Sequence, residues 1–210
     1  MTNREPHRTP AVSGIVLAAG TSSRLGRPKQ LLDLGGRTVL ERVLDAVRAA
    51  SLDEVVVVLG HGAEQIQRAG AFDEGVRIAS NPDYLQGQST SLRAGLRAVS
   101  GEADAAVILL GDQPEVRAAA IDAVIDAWRS GAGPIVQASY GGRPAHPTLL
   151  AREVWPELEA LSGDEGARTF IAANRFRRAL VEVGGEPPDD IDTEEDYRRA
   201  LSKYPANGPE

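Results

Sequence analysis

The chain contains the stretch Val16-Leu-Ala-Ala-Gly-Thr-Ser-Ser-Arg-Leu-Gly-Arg-Pro-Lys-Gln-Leu-Leu32, in which an apolar run passes directly into a glycine- and hydroxyl-rich loop. The run from Ile15 to Ala19 stops at Gly20, which is typical of a buried parallel strand that ends in a loop. Gly20 and Gly26 permit backbone conformations that a Cβ would forbid, so successive N–H groups can turn toward one anion. The stretch therefore predicts an anion-binding loop at the end of a strand.

The side chains of this loop supply hydroxyl groups and cations. Thr21, Ser22 and Ser23 can donate hydrogen bonds, while Arg24 offers a planar fork and Lys29 a point charge for a phosphate. The spacing matches neither the Gly-Lys-Ser/Thr of Walker loops nor the dinucleotide G-x-G-x-x-G fingerprint. The loop predicts a phosphate site of another type, and a plain connecting loop with solvated cations is the alternative.

Composition limits the class of protein. The 210 residues fit one compact domain, and 42% hydrophobic with 25% charged residues are ordinary globular values. A net charge of −7 argues against general nucleic-acid binding, and no apolar run approaches the ~20 residues of a bilayer span. The chain has no cysteine, which excludes a disulfide framework and thiolate chemistry and fits a cytoplasmic protein. We therefore expect no nucleic-acid or membrane partner, and local cations and a metal must bind any anionic ligand.

Apolar strand patterns alternate with helix patterns along most of the chain. We predict one domain over residues 13–203, between a disordered leader (1–12) and a disordered tail (204–210). The runs 54–60 and 105–110 are too apolar for one-sided strands and predict central parallel strands. The alternation predicts a three-layer α/β/α sandwich with a mostly parallel, Rossmann-like sheet and a site at the carboxyl ends of its strands.

Local signals predict the connecting elements. Thr38 and Glu41 have capping-box spacing at the start of a helix that extends to about residue 50. The proline-bracketed segment 140–150 predicts a rigid loop that presents His146, and residues 151–161 predict a helix. A lone histidine of this kind is commonly structural, which is the alternative to a binding role.

A carboxylate follows the predicted central strand 105–110. Asp112 lies in Gly-Asp-Gln-Pro, just past the carboxyl end of that strand, where open α/β sheets bind ligands. Mg²⁺ binds few protein carboxylates together with phosphate and water, so Asp112 is the leading candidate for a ligand of Mg²⁺, the expected cofactor. The alternative is an N-cap before the helix that Pro114 opens.

Two further segments carry polar side chains beside predicted helices. Residues 87–91 place hydroxyl groups at a helix N-terminus, which predicts an anion or ribose site, with simple capping as the alternative. Residues 189–196 are rich in aspartate and glutamate before and within the last helix, where compensation of the helix dipole is the alternative to metal binding.

These segments together resemble the nucleotidyltransferases with a single mononucleotide-binding domain, which include molybdenum cofactor cytidylyltransferase and guanylyltransferase and the sugar-phosphate pyrophosphorylases. The resemblance rests on LAAGTSSRLGRPKQLL (residues 17–32), Gly-Asp-Gln-Pro around Asp112, and the Ile-Asp-Thr-x-x-Asp pattern that begins at Ile191. It covers roughly residues 13–202. It implies the nucleotide-diphospho-sugar transferase fold, which is similar to that of GT-A enzymes.

The resemblance also implies roles for single residues. Arg24, Lys29 and Asp112 would be catalytic, and Asp112 and Asp192 would hold the metal, with Asp190 as the second choice for Asp192. Contacts to the nucleotide are implied for Leu17, Ala18, Ala19, Gly20, Thr21, Ser22, Arg24, Lys29, Asn81, Ser89, Ser91, Gly111 and Asp112.

The acceptor side of the cleft is implied by two further segments. His146, Asp164 and Arg168 would contact the acceptor, although Ala145 replaces the glycine that usually precedes this histidine. For Asp164, the start of a helix is the structural alternative.

Leu-Ala-Ala-Gly with Pro-Lys-Gln is similar to the cytidylyl branch of the family, whereas the guanylyl branch tends to have Leu-Ala-Gly-Gly. The resemblance thus implies CTP as donor, a molybdopterin-type phosphate as acceptor, and an apo-molybdoenzyme or maturation chaperone as partner. The alternatives are a sugar- or alkyl-phosphate nucleotidyltransferase, a guanylyltransferase of the same fold, and a non-catalytic molybdenum cofactor carrier.

Overall fold

A computed structural model of the chain describes residues 8–70, 72, 75–161 and 167–205. The strands are β1 Ala11–Ala18, β2 Glu54–Leu59, β3 Val76–Ser80, β4 Ala103–Leu110, β5 Ile135–Tyr140, β6 Arg143–Ala151 and β7 Arg178–Glu182. The α-helices are α1 Val39–Arg48, α2 Ala63–Arg68, α3 Gln88–Ala98, α4 Ala118–Arg129, α5 Trp155–Glu159, α6 Ala167–Ala173 and α7 Glu194–Leu201. Of the helices that the structure describes, none combines the length and the apolarity that crossing a bilayer requires.

The strands form one seven-stranded sheet in the order β3-β2-β1-β4-β6-β5-β7. β1 pairs in parallel with β2 and β4, β2 with β3, and β5 with β7. Strand β6 lies antiparallel between β4 and β5. Helices cover both faces, so the predicted three-layer α/β/α sandwich with a mostly parallel sheet is confirmed.

The core has two halves, one on each face of the sheet. Strands β1, β2 and β4 alternate between the halves: Val16 and Val57 pack toward α1 and α4, while Ile15 and Val58 pack toward α3 and α5. Each of these four side chains is fully buried. Strands that are buried on both faces read as continuous apolar runs, which is why the sequence identified them as central.

Strand β6 is the main difference from the sequence prediction, which assigned residues 140–150 to a loop and was wrong. Residues Thr148 to Ala151 pair with β4 and give β6 a fixed place in the sheet. The register with β5 passes from Gln137 opposite Thr148 to Ala138 opposite Ala145, so His146 and Pro147 lie in a bulge. Proline has no N–H for sheet pairing and is found in strands mainly at edges and bulges. The prolines at 144 and 147 therefore indicated a loop in the sequence, although the segment forms a bulged strand.

Smaller differences concern the limits of elements. The predicted helix 151–161 is shorter, because β6 continues to Ala151 and a 3₁₀ turn, Arg152–Val154, precedes α5. β1 begins at Ala11, inside the range predicted as a disordered leader, and Val12 is buried. Tyr204, inside the range predicted as a tail, donates a hydrogen bond to the carbonyl of Pro114 at 3.0 Å.

Helix α3 lies unusually close to β1. A Cβ built on Gly95 would be 2.5 Å from Cγ2 of Ile15 and 3.1 Å from Cγ2 of Val58, so only glycine fits there without movement. The close approach brings the N-terminal turn of α3 over the carboxyl end of β1. The fold thereby places the polar residues of that turn beside the loop that follows β1.

Helix α1 begins with the predicted capping box, which is confirmed. The Thr38 hydroxyl accepts the Glu41 N–H at 3.2 Å, and the Glu41 carboxylate accepts the Thr38 N–H at 2.6 Å. The hydrogen bond from the Thr38 backbone holds the pKa of Glu41 below its ordinary value.

Glu41→Gln tests this cap, because glutamine keeps the hydrogen-bonding shape without the charge. A depressed carboxyl pKa stabilises the fold above the ordinary glutamate value of ~4.3, and this contribution is lost as the pH falls through the folded-state pKa. We expect wild type to exceed the variant in free energy of unfolding at pH 7 by about 0.3–1 kcal/mol, and this advantage to shrink below pH ~4. Urea denaturation from pH 3 to 7 measures both values, and an advantage that grew in acid would contradict the assignment.

Candidate active site

The loop after β1 folds tightly on itself. Ser22 has a positive φ of 51°, and its carbonyl accepts the N–H groups of Leu25 and Gly26 at 3.0 and 3.1 Å. The Ser22 hydroxyl accepts the backbone N–H of Lys29 at 3.1 Å. A non-glycine residue at positive φ costs free energy and is kept only where the surroundings enforce it. These bonds fix the backbone of Lys29 relative to the loop.

Lys29 connects the loop to two carboxylates that are distant in the sequence. Its Nζ contacts Oδ2 of Asp112 and lies 2.7 Å from Oδ1 of Asp192. Lys29 lies in the 3₁₀ turn Lys29–Leu31, Asp112 follows β4, and Asp192 precedes α7. Burial alone would lower the pKa of Lys29, but the attraction of Asp112 and Asp192 outweighs it, and the pKa lies above the ordinary lysine value. Lys29 therefore carries its positive charge.

Asp192 reaches this position because the segment before α7 is anchored on both sides. The N–H of Ile191 donates to the carbonyl of Asp112 at 3.1 Å, and its side chain is buried in a small apolar cluster with Leu25 and Leu34. On the other side, Oδ2 of Asp196, which forms a capping box with Thr193, also accepts the N–H of Asp192 at 3.2 Å. The apolar anchor holds the acidic segment against the loop.

Asp112 retains one oxygen for a further ligand. Its Oδ2 contacts Lys29, while its Oδ1 is buried and has no hydrogen-bond partner in the part of the chain that the structure describes. Burial raises the pKa of Asp112 above its ordinary value even though Lys29 opposes the shift. An unpaired buried carboxylate oxygen is costly, and a cation beside it would remove the cost. Together with Asp192, this oxygen has the chemistry of a hard divalent cation site.

The described residues contain no group of three or more acidic or histidine side chains that could hold a metal by themselves. A cation at Asp112 and Asp192 would therefore be completed by oxygen ligands other than acidic or histidine side chains, such as those of water and substrate phosphate. Mg²⁺ normally keeps several waters and binds one or two carboxylates together with substrate phosphates. Two carboxylates fit that type of site.

A cavity of about 340 Å³ opens beside Lys29 at the carboxyl ends of β1 and β4. It includes many of the residues predicted to contact a nucleotide, namely Leu17, Ala18, Ala19, Gly20, Thr21, Lys29, Ser91 and Asp112. A groove of about 290 Å³ continues from this cavity along the loop, and Ser22, Arg24 and Asp192 line the groove. Arg24 is exposed there, with its fork available to an anion. The structure thus brings both predicted cations and both predicted metal ligands together.

Three predicted nucleotide contacts lie behind this cavity. Asn81 is buried, and its Nδ2 donates to the hydroxyls of Thr90 and Ser91 at 2.9 Å each, which orients Ser91. Ser89 is fully buried in α3. The N–H of Gly111 donates to the carbonyl of Leu17 at 2.9 Å and ties the end of β4 to β1. These residues support the cavity from within the fold.

Sequence reasoning missed several residues of the cavity. Tyr84, Leu85, Gly87, Gln88 and Leu110 line it, as does Gln30. Gln30 is 1% exposed; its Nε2 donates to the carbonyl of Ala18 at 2.9 Å, and its Oε1 has no hydrogen-bond partner within residues 8–70, 72, 75–161 and 167–205. The position of Gln30 directly after Lys29 was the only sequence signal for it.

A second cavity, of about 420 Å³, lies on the far side of Asp112, and its walls include His146, Arg168 and Asp190. A narrow space of about 40 Å³, lined in part by Gln88, Leu110, His146 and Arg168, lies between the two cavities. Two predicted acceptor residues are thus brought together, while Asp164 lies outside the described residues. The Asp190 carboxylate accepts a hydrogen bond from Nε2 of Gln113 at 2.8 Å. In this structure Lys29 contacts Asp192, the first choice for the second metal ligand, and not Asp190.

His146 occupies the bulge of β6 beside this second cavity. Its Nδ1 lies 3.2 Å from the carbonyl of Ile108, and Tyr140 donates a hydrogen bond to the His146 carbonyl at 2.9 Å. Burial lowers the pKa of His146 below its ordinary value, so the ring is neutral at pH 7. The neutral ring donates from Nδ1 to Ile108 and leaves Nε2 as an acceptor.

Comparison with protein families gives one model over most of the chain, described as the MobA-like NTP transferase domain, which matches residues 14–182. Three curated relatives illustrate the range of names. Nicotine blue oxidoreductase of Paenarthrobacter nicotinovorans is 33% identical over 202 residues, covering 91% of this chain and 97% of the relative. Purine catabolism protein PucB of Bacillus subtilis is 32% identical over 208 residues, covering 93% and 100%. The 2-C-methyl-D-erythritol 4-phosphate cytidylyltransferase of Thermobifida fusca is 35% identical over 201 residues, covering 88% and 80%.

Two solved structures are also similar to this chain over more than nine-tenths of its length. The Mycobacterium tuberculosis protein Rv0371c is 36% identical, with a TM-score of 0.84 and coverage of 93% of this chain and 100% of that chain. A second structure of that protein is described as a complex with manganese; it is 35% identical, with a TM-score of 0.80 and coverage of 91% and 98%.

Gly111→Ala tests the close contact between the ends of β4 and β1. The added Cβ would lie 2.8 Å from Cβ of Ala18 and 3.2 Å from the carbonyl oxygen of Leu17. Because the backbone must shift, we expect the free energy of unfolding to fall by about 1–3 kcal/mol, as measured by urea denaturation. Gly101→Ala is the matched control, since no described residue other than its two chain neighbours lies within 4 Å of its added Cβ. Equal effects of the two substitutions would contradict the packing argument.

Proposed function

This chain belongs to the MobA-like NTP transferase family, and on that premise we propose that it is a CTP:molybdopterin cytidylyltransferase that uses Mg²⁺. In the proposed reaction an oxygen of the acceptor phosphate forms a bond to the α-phosphorus of CTP. The bond from that phosphorus to the oxygen bridging to the β-phosphorus breaks, and pyrophosphate leaves with the electron pair. The product is a molybdopterin cytosine dinucleotide.

One observation carries this proposal. The charged Lys29 ammonium contacts the Asp112 and Asp192 carboxylates. It lies where the cavity beside β1 meets the groove along the glycine loop. A cation, two carboxylates and a turn rich in N–H and hydroxyl groups form the donor set that a metal-bound triphosphate requires. The second cavity, on the other side of Asp112, offers a place for an acceptor.

The residues of the chain would act by positioning and by charge. Lys29 and Arg24 would bind the β- and γ-phosphates and stabilise the negative charge of the departing pyrophosphate. The backbone from Leu17 to Gly20 would contact the base and sugar. Asp112 and Asp192 would hold the metal, which when bound neutralises phosphate charge and polarises the phosphoryl oxygens. No protein nucleophile is needed, because alignment of the acceptor oxygen with the α-phosphorus supplies the remaining rate enhancement.

The donor and the acceptor are supported by different features. The Leu17-Ala-Ala-Gly20 sequence is similar to the cytidylyl branch, and a relative named as a cytidylyltransferase supports CTP. That relative's name contains a methylerythritol phosphate, which makes a sugar- or alkyl-phosphate the alternative acceptor. His146 and Arg168 at the second cavity would contact either kind of acceptor phosphate.

A redox function is the candidate from another class, because one relative is named as an oxidoreductase. The glycine loop of this chain lacks the G-x-G-x-x-G fingerprint that binds dinucleotide hydride donors. The chain also has no cysteine for thiol redox chemistry. The charged site around Lys29 therefore favours nucleotidyl transfer.

The substrate test offers each of the four common ribonucleoside triphosphates, with Mg²⁺ and a molybdopterin acceptor, and measures pyrophosphate. We expect release with CTP that depends on the acceptor. Equal release without an acceptor would contradict the acceptor assignment, and faster release with GTP would assign the guanylyl branch. Binding of molybdopterin without any pyrophosphate release would instead support a carrier. In a separate assay, reduction of nicotine blue by an added nicotinamide hydride donor would support the redox alternative.

Variants test the roles of Lys29 and Asp112. We expect Lys29→Ala and Asp112→Asn each to lower kcat/KM about 10²–10³-fold, or roughly 3–4 kcal/mol of transition-state stabilisation, because each removes a charge beside the phosphates. Arg27→Ala is the control: it removes a cation from the same loop, but Arg27 pairs with Glu194 at 3.0 Å on the exposed side. Near-normal turnover of Asp112→Asn with Mg²⁺ would overturn the metal assignment.

A further inference from the structure

The two carboxylates assigned to the metal are already engaged by a cation of the chain itself. Lys29 Nζ contacts Oδ2 of Asp112 and lies 2.7 Å from Oδ1 of Asp192. The side chain of Lys29 is 11% exposed and that of Asp112 is 16% exposed, so water screens the Lys29–Asp112 contact only weakly, whereas Asp192 is 47% exposed. The contact is therefore a strong feature of the ligand-free site.

We propose that Lys29 is a placeholder for the metal: its ammonium occupies the two carboxylates until a triphosphate arrives, and this makes tight binding of the divalent cation depend on the nucleotide. The inference rests on the proposed function only in taking a triphosphate as the ligand. In the loaded site Lys29 moves from the carboxylates to the phosphates. Lys29 thereby couples nucleotide binding to metal binding.

Electrostatics give the reason for the coupling. With Lys29 in place, the charges of one ammonium and two carboxylates sum to −1, and a divalent cation at Asp112 would lie next to the ammonium and be repelled by it. A triphosphate offers the ammonium new partners and adds oxygen ligands for the cation. Oδ1 of Asp112 is buried and has no hydrogen-bond partner among the described residues, so the ammonium does not occupy this oxygen.

The local structure allows this exchange without rearrangement of the fold. Lys29 lines both the cavity beside β1 and the groove that contains Arg24 and Asp192. Its backbone N–H is fixed to the Ser22 hydroxyl at 3.1 Å, so the loop need not move while the flexible side chain turns. The ammonium can thus leave the carboxylates by side-chain rotation toward phosphates in the same space.

Manganese binding to the purified full-length protein tests the proposal, with Mn²⁺ as the probe and electron paramagnetic resonance as the readout. We expect Lys29→Met to bind free Mn²⁺ at least tenfold more tightly than wild type in the absence of nucleotide. This increase is opposite to the loss of activity expected on removing Lys29. Lys29→Arg keeps the cation at the carboxylates, so we expect it to bind free Mn²⁺ as weakly as wild type.

Arg27→Met is the matched control. It also removes one positive charge, two residues before Lys29, but Arg27 pairs with Glu194 and not with Asp112 or Asp192. We expect its Mn²⁺ affinity to stay within twofold of wild type. An equal gain in Arg27→Met and Lys29→Met would show a general charge effect and overturn the proposal. Unchanged or weaker binding by Lys29→Met would also overturn it.

Thermal unfolding gives a second readout that does not require catalysis. Lys29→Met and the polar variant Lys29→Gln both leave the carboxylates unpaired, so Mn²⁺ should raise the melting temperature of each more than that of wild type. Equal shifts in all three proteins would contradict the placeholder role. If wild type released no pyrophosphate from any triphosphate while these metal results held, the proposed function would fail and the metal inference would stand.

Discussion

The ion pairs of Lys29 are the interaction on which the organisation of this site depends. They connect the loop after β1, the end of β4 and the segment before α7, which are far apart in the sequence. A buried charge is stable only when it is paired, so the loop that carries Lys29 and the turn that carries Asp112 constrain each other, while the half-exposed Asp192 adds a second partner for Lys29. The cavity beside β1 and the groove along the loop meet at this cation, which lines both of them.

The sheet topology makes this meeting possible. β1 and β4 are adjacent and parallel, so the loop after β1 and the turn that contains Asp112 emerge side by side. The glycine at 111 lets the two strand ends approach, and Gly95 lets α3 bring Ser91 and Gln88 over them. The apolar anchor Ile191 then holds Asp192 against this edge. The polar site is therefore supported by packing that is mostly apolar.

The second cavity shows how an unexpected strand shapes the site. β6 runs antiparallel between β4 and β5. Its bulge places His146 beside the carbonyl of Ile108 and on the lining of the narrow space between the two cavities. A bulge can redirect a side chain in this way without ending the strand. The proline-rich sequence that we predicted as a rigid loop thus forms both part of the sheet and part of the cavity wall.

The sequence by itself determined the buried parallel strands and the alternation with helices, because continuous apolar runs and glycine turns are local signals. It also predicted that the first loop binds phosphate. It also pointed to Lys29, Asp112 and Asp192 through the motifs that contain them. Only the tertiary structure decided that Lys29 contacts both aspartates, that Asn81 and Ser89 lie behind the cavity and that Gln30 faces it. Those facts depend on which residues from distant segments meet and on how completely each is buried. No local pattern records them, since sheet order and packing arise from the whole chain.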